Sequence, residues 1–447
     1  MKINQVIYAV AFFVMANALN GCATYSPMPL ATKPKYAALK IDSKSIAAKY
    51  FSHPFNPGDG LDMTEVATLA VVNNRALRVA RDQAHVTGAQ AFAASLLPDP
   101  QLNLSTDSAL SSGATSTAYG IGLNYQLSTF ITHNALVKAS EAKHQQVDLT
   151  VLWQEWQTIA QARVLFSRVL NYQQQLYWAN KESDFVNKRF QQVQLALHAG
   201  NLSMSALHFT LSYLINVMQQ INSLSLQHLK TQQQLNSLLG LPPDTKLHLV
   251  EGDEFEVPTE ANIKQALVHL PQRRPDLLAL QAGYKAQDAY YRQAILGQFP
   301  AFSLSFQRAR DTSSLDTQGL SLSLRLPFIN HNKGAIALQK ATRKALYDQY
   351  QLRLNQANAN VVRTLAQMKL STRQLAKVQS YLSSLDNAEA KGSKAMQVGN
   401  LNSATEVVLV NARAQAHILV EKQKQILREE RIALLTLLGT ETGEKQP

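Results

Sequence analysis

The chain carries the same landmarks twice, about 199 residues apart in a total of 447. Leu77 and Leu277 each lie 23 residues before a proline, Pro100 and Pro300, and each proline opens an alternating, strand-like run. Gly120 pairs with Gly319, Leu127 with Leu326, the tripeptide Gly200-Asn201-Leu202 with Gly399-Asn400-Leu401, and Leu238-Leu239-Gly240 with Leu437-Leu438-Gly439. The matches fall at turns and helix ends, where backbone geometry is most demanding, so a register this constant marks an internal repeat. Whatever the chain folds into is made of two like units, and its function lies in what they build together.

Each unit opens with a helical segment rich in Ala, Gln and Leu, roughly Thr64 to Leu97 and Asp276 to Leu296, which a proline stops. The hydrophobic period then changes from about 3.6 to 2. Phe302, Leu304 and Phe306 alternate with polar residues, as do Leu320, Leu322, Leu324 and Leu326; Leu102 and Leu104, then Ile121, Leu123, Tyr125 and Leu127, do the same in the first unit. These are four strands of about nine or ten residues, the length a tilted strand needs to cross a bilayer. A soluble half-buried sheet has the same alternation. Four strands cannot close a barrel in lipid, where open edges are not tolerated, so membrane strands require oligomerisation; a trimer supplies about twelve.

After each strand pair comes a very long helix. Leu123 to Ala199 contains neither Gly nor Pro, and a helix from about Ala135 to Ala199 spans roughly 100 Å. Leu152, Trp156, Ile159, Ala162, Phe166 and Val169, and in the second unit Val361, Leu365, Met368, Leu375 and Leu382, form a coiled-coil-like seam. Gly200-Asn201 stops the first long helix, a place for positive φ, and the chain returns in a second helix ending at Leu239-Gly240. The twin turn is Gly399-Asn400, with an end at Leu438-Gly439. Each unit is therefore a helical hairpin whose tip lies far from its strands.

At the N-terminus, Lys2 precedes a short apolar core from Val6 to Leu19, which fits an export signal. It ends in Leu19-Asn20-Gly21-Cys22, similar to the bacterial lipoprotein processing box, with Cys22 the acylated residue. Cys22 is the only cysteine, which excludes a disulfide within the chain and favours lipid attachment over a buried thiol. Ala23 follows in place of an aspartate, favouring the outer membrane by resemblance to bacterial lipoproteins. Ser26-Pro27-Met28-Pro29 to Lys33-Pro34 reads as an extended tether. The formal charge is +12, but Lys and Arg are strewn along helical segments rather than gathered in one stripe, which argues against nucleic acid. No P-loop, HExxH, paired cysteines or nucleophile elbow is present, so no enzyme chemistry, metal or cofactor is expected. His198 reads as a solvated residue beside the first tip.

Taken in order and in duplicate, Arg274-Pro275-Asp276-Leu277, Phe299-Pro300-Ala301-Phe302-Ser303-Leu304-Ser305, the Gly-Asn-Leu turns and the Leu-Leu-Gly helix ends resemble the TolC-like outer-membrane factors, the outer membrane efflux protein family. The lipidated N-terminus is similar to the subgroup found with resistance-nodulation-division pumps. The resemblance implies a mainly α fold with membrane β: a homotrimer forming a 12-strand β-barrel continued by a 12-helix α-barrel through the periplasm, with an equatorial girdle. It implies a passive exit duct of a tripartite efflux system, docking to a periplasmic adaptor and an inner-membrane pump. The alternatives are a type I protein secretion duct and a lipid-anchored coiled-coil scaffold without a pore.

The same resemblance places adaptor contacts at the hairpin tips, Gly200, Asn201, Leu202 and Ser203 in the first and Gly399, Asn400 and Leu401 in the second. Asn402 departs from the serine often found there. Glu406 is the one candidate for an acidic periplasmic entrance. The expected organisation is a signal peptide over 1–21 and a tether with an equatorial segment over 22–61. The first repeat follows over 62–240, with strands near 100–107 and 118–127 and its tip near 199–203. An equatorial insert over 241–270 leads to the second repeat over 271–439, with strands near 300–309 and 317–326 and its tip near 398–402, and a tail over 440–447. Ser112 and Ser314 are expected in extracellular loops.

Overall fold

The computed structural model describes residues 25–39, 55, 57–108, 117–252, 257–397 and 403–439. The signal segment 1–21, Cys22, Ser112, the second-tip residues Gly399, Asn400, Leu401 and Asn402, and the tail 440–447 lie outside them. Residues 25–36 have no regular secondary structure, are exposed throughout, and belong to a unit separate from 37–447.

In the larger unit, Asp62 starts helix α1 (Met63–Asn73) with a capping box, its carboxylate accepting from the Thr64 and Glu65 amides at 2.7 and 2.8 Å while Glu65 returns to the Asp62 amide. The single helix expected from Thr64 to Leu97 is broken at Asn74 and resumes as α2 (Arg75–Ser95). The Asn74 side chain accepts from the Leu77 amide and so competes with the backbone ladder at that point. Strands β1 (Gln101–Asp107) and β2 (Ala118–Tyr125) follow, shorter than the nine or ten residues expected. Helix α3 (Thr129–His198) has 70 residues and begins earlier than the expected Ala135, so it runs for about 105 Å. It returns through α4 (Met204–Leu238).

The connection then touches the start of the unit. Leu61 and Leu249 form a parallel bridge, with Leu61 N donating to His248 O and Val250 N to Leu61 O. Gly60 at φ +104° is required here, because a Cβ would lie 2.4 Å from the Val250 side chain. The chain continues through α5 (Glu260–Val268), the short α6 (Leu270–Arg273), α7 (Pro275–Leu296), β3 (Ala301–Arg310), β4 (Asp316–Arg325), α8 (Lys333–Gln397) and α9 (Ser403–Leu438).

Each repeat has its own apolar core at the base of its hairpin. Leu61, Leu69, Phe166, Leu235 and Leu239 gather in the first, and Ile263, Val361, Leu427, Leu434 and Leu438 in the second. The α3 seam differs in one place from its expected course. Leu152 is 38% exposed, whereas Val151, Ala162, Phe166 and Val169 are buried, because Trp153 is the residue that turns under Arg274 and Arg353. Among the described residues no helix is long and apolar enough to cross a membrane.

Candidate functional site

The four strands make one antiparallel sheet in the order β1-β2-β3-β4, so the two repeats join through β2 and β3. Residues directly opposite one another share a face. The register sets Leu102 opposite Leu123, Leu123 opposite Phe306, and Phe306 opposite Leu320; beside this row, Tyr125, Leu304 and Leu322 form another. One face is thus a continuous apolar band across all four strands; Tyr125 is half-buried and the other residues of these two rows are exposed, from Leu304 at 41% to Leu320 at 74%. The opposite face carries Asn103, Ser105, Asn124, Ser305 and Ser321, with Asn124 donating to Ser305 Oγ at 2.6 Å. Gly120 belongs to that face: a Cβ would come within 2.6 Å of Ser105 Oγ, so the glycine permits close cross-strand approach.

The band has two different ends. Towards the strand termini near the helices stand Tyr125, Phe130, Phe299, Phe302 and Phe328, with Tyr125 and Phe130 rings 5.9 Å apart. Aromatic rings at this level suit a membrane–water boundary. Towards the other end the apolar face gives way to Arg308, Arg310 and Asp316, and Arg310 grips Asp316 with two hydrogen bonds of 3.0 Å. Asp311 caps the β3–β4 turn by accepting from the Ser313 and Leu315 amides, which leaves Ser314 exposed at φ +66°. The outer edges, β1 and β4, have no strand partner among the described residues.

At the far end of α3 the tip is closed by two paired hydrogen bonds, Asn201 N to Ala196 O at 2.9 Å and Gly200 N to Leu197 O at 3.0 Å, with Gly200 at φ +75°. This is the Schellman arrangement, in which a left-handed glycine lets the last carbonyls of the helix find donors. Leu195, Leu202 and Met204 stand exposed around the turn, and the Ser203 and Ser205 hydroxyls lie 2.6 Å apart. His198 is exposed. Glu406, in the first turn of α9, is ion-paired with Arg189 of α3. Its charge is compensated within the chain.

Between tip and base, α9 lies along α3, and their seam is largely polar. Arg168 forks onto Glu429 with two bonds of 2.7 Å, Asn171 donates to the Glu421 carbonyl, and the His417 ring stacks on Trp178 at 3.5 Å. One level nearer the tip, Gln415 pairs with Gln220 of α4 and reaches Glu182, while Asn411 donates to Tyr213. Sequence periodicity missed this seam, since it registers apolar spacing and these contacts join residues more than 190 positions apart.

At the base of the second repeat sits a buried ion cluster built from the Arg274-Pro275-Asp276 motif. Arg274, 1% exposed, holds Asp276 with bonds of 3.0 and 2.8 Å and donates to the Leu437 carbonyl at 3.1 Å. Arg353 adds a 2.7 Å bond to Asp276, and both guanidinium groups lie over Trp153. Burial alone would raise the Asp276 pKa, but the hydrogen bonds and charges of Arg274 and Arg353 hold it below the ordinary carboxylate range. No cluster of three or more metal-ligating side chains forms among the described residues.

Residues 266–440 match the family model described as outer membrane efflux protein. No curated protein matches the sequence. The fold is that of several solved channels: CusC, a transmembrane channel, at 18% identity and TM-score 0.72 over 94% of this chain and 99% of that one; and the outer-membrane channel OprN, at 16% and 0.74 over 93% and 99%. The Campylobacter jejuni CmeC outer membrane channel is similar at 16% and 0.73, over 94% and 96%. The resemblance to outer membrane efflux proteins therefore stands over residues 266–440, where the family model matches, and nearly the whole chain has the channel fold.

Proposed function

We propose, from the match of residues 266–440 to the outer membrane efflux proteins and the channel fold of the whole chain, that this protein is the outer-membrane exit duct of a tripartite efflux system. The observation that carries the reading is the apolar band across β1–β4. A row such as Leu102, Leu123, Phe306 and Leu320, exposed on every strand and backed by a polar face, suits lipid outside and water inside. The two unpaired edges are untenable in hydrocarbon, so copies of the chain must pair β1 with β4, and three copies close a barrel of about twelve strands. The α3–α4 and α8–α9 hairpins continue that wall into the periplasm as an α-barrel of about twelve helices.

The transport mechanism follows from this arrangement. The duct itself is passive, and an inner-membrane pump drives the substrate. A periplasmic adaptor docks at the hairpin tips, through Gly200, Asn201, Leu202 and Ser203 and their twins Gly399, Asn400 and Leu401. The exposed Leu195, Leu202 and Met204 around the first tip support an apolar contact there. Glu406 stands at the periplasmic entrance, but its pairing with Arg189 argues against an acidic gate and for a contact that must break when the tip of α9 moves. Cys22 carries the acyl groups that hold the N-terminus in the outer membrane.

A thiol introduced as Ser314→Cys tests the reading in intact cells. Reaction with an impermeant maleimide is expected, because the β3–β4 turn then lies outside the cell. Protection of that thiol in intact cells, with labelling after lysis, would contradict the barrel and leave a periplasmic scaffold.

A further inference from the structure

In the seam between α3 and α9, Glu182 is a carboxyl group with no charged partner among the described residues. Glu182 is 1% exposed and faces the point where α3, α4 and α9 meet. Ala179, Leu224 and Ile418 form an apolar layer one turn away. At its own level the hydrogen bonds are made by amides: Gln415 donates to Gln220 Oε1 at 2.7 Å and to Glu182 Oε2 at 3.4 Å. Glu182 Oε1 is buried without a hydrogen-bond partner. Such a site is far kinder to a neutral acid than to a carboxylate, whose desolvation only the long Gln415 bond offsets.

The ionisable groups around this level are otherwise occupied. On α3, Lys181 lies over the Tyr177 and Trp178 rings. On α9, Arg413 is held by Asp386 and Glu389 of α8 at 2.5 and 2.6 Å, His417 is stacked on Trp178, and Glu421 takes Lys424. Tyr213 of α4 accepts from Asn411, and His228 of α4 is half-buried with its Nε2 shielded from solvent. None of them forms an ion pair with Glu182 among the described residues. Burial first, opposed weakly by the Gln415 hydrogen bond, raises the Glu182 pKa to about 7.

We propose that Glu182 is a proton-operated clasp between the two hairpins: protonated, it stays packed in the seam, and on losing its proton it favours separation of α9 from α3 at this level. The direction follows from linkage. A group whose pKa is raised in the closed seam stabilises that seam fully at acid pH, and the stabilisation is lost as the pH rises from the ordinary carboxylate range through about 7. His228 and His417 act with the opposite sign, because burial lowers their pKa and the closed seam favours their neutral forms. As a regulator of opening, the clasp rests on the duct reading above; as a property of the seam, it does not.

Hydrogen exchange of the α9 amides around Asn411 to Glu421, corrected for the intrinsic pH dependence, reads the seam directly in the detergent-solubilised full chain. The opening constant of the wild type is expected to rise at least about tenfold between pH 5 and pH 7.5. Glu182→Gln should abolish the rise and leave a flat or inverted trend from the histidines. Glu182→Met, which keeps the volume and removes the ionisable group, serves as the second variant and should do the same. A rise of wild-type size in either variant, or a wild type with no rise, overturns the clasp. Because the readout is local, a chain that fails to form a duct but shows the rise keeps the clasp and loses only its role in opening.

Discussion

The two repeats solve the same problem at the same position with different chemistry. In the first, Asn74 donates to the carbonyl of Leu238 at 3.2 Å; in the second, Arg274 donates to the carbonyl of Leu437 at 3.1 Å. Residues 74 and 274 are register partners, and so are 238 and 437. Each ties the start of a short helix to the last turn of the returning hairpin, where carbonyls have lost their intrahelical donors. The first repeat does it with a neutral amide. The second does it with a guanidinium that is buried and therefore needs Asp276, Arg353 and the Trp153 ring around it. Duplication preserved the geometry of the joint and left its electrostatics free to diverge.

Truncation should expose that asymmetry most strongly. Arg274→Ala leaves buried Asp276 with Arg353 alone and is expected to lower the stability of the second base by about 3 kcal/mol, the low end of the cost of removing one partner of a buried pair. Asn74→Ala removes a cap and one further hydrogen bond and should cost about 1–2 kcal/mol. Local hydrogen-exchange protection of α7 and of α2 checks the pair. Equal losses at the two bases would mean that the ion cluster does no more than the amide.

Acid should separate the repeats in the same direction. The Asp276 pKa is depressed, so its contribution is present at neutral pH and is lost as the pH falls below the ordinary carboxylate range. The Asn74 joint has no ionisable partner to lose. Limited proteolysis or exchange at decreasing pH is expected to open the second base first. Loss of both bases at one pH would break the comparison.

The smallest effects belong to glycines that share a conformation and differ in surroundings. Gly200 and Gly240 have φ of +75° and +67°. An added Cβ at Gly200 meets nothing within 4 Å, whereas at Gly240 it would lie 2.9 Å from the Asn73 carbonyl oxygen. Gly200→Ala should cost only the backbone term, about 1 kcal/mol, and Gly240→Ala clearly more, read as shifts in thermal unfolding. The tip can thus absorb change that the base cannot.

These contrasts show which parts of the fold the sequence makes legible. The alternation of Phe302, Leu304 and Phe306 and the glycine at 200 report local geometry, and the structure has a strand and a left-handed turn there. The long Gly- and Pro-free run becomes one helix for the same reason. The break at Asn74 was hidden because an asparagine in an Ala-rich run is weak punctuation, and only its contact with Leu238, 164 residues away, gives it force. The contacts of Glu182 and Arg189 across to α9 were equally invisible, since no spacing rule links α3 to residues more than 200 positions later. Trp153 has no place in the apolar spacing, and only the guanidinium groups of Arg274 and Arg353 lying over its ring give it one.

The central claim is that neither repeat, nor one chain, completes the wall. The mass of the protein extracted from outer membranes in a mild detergent tests it most directly, with the detergent contribution subtracted. A particle of three chains is expected, together with a disulfide between neighbouring chains when single cysteines are placed on β1 and β4. A single chain in every mild detergent, with no cross-link between the two edges, would contradict the account.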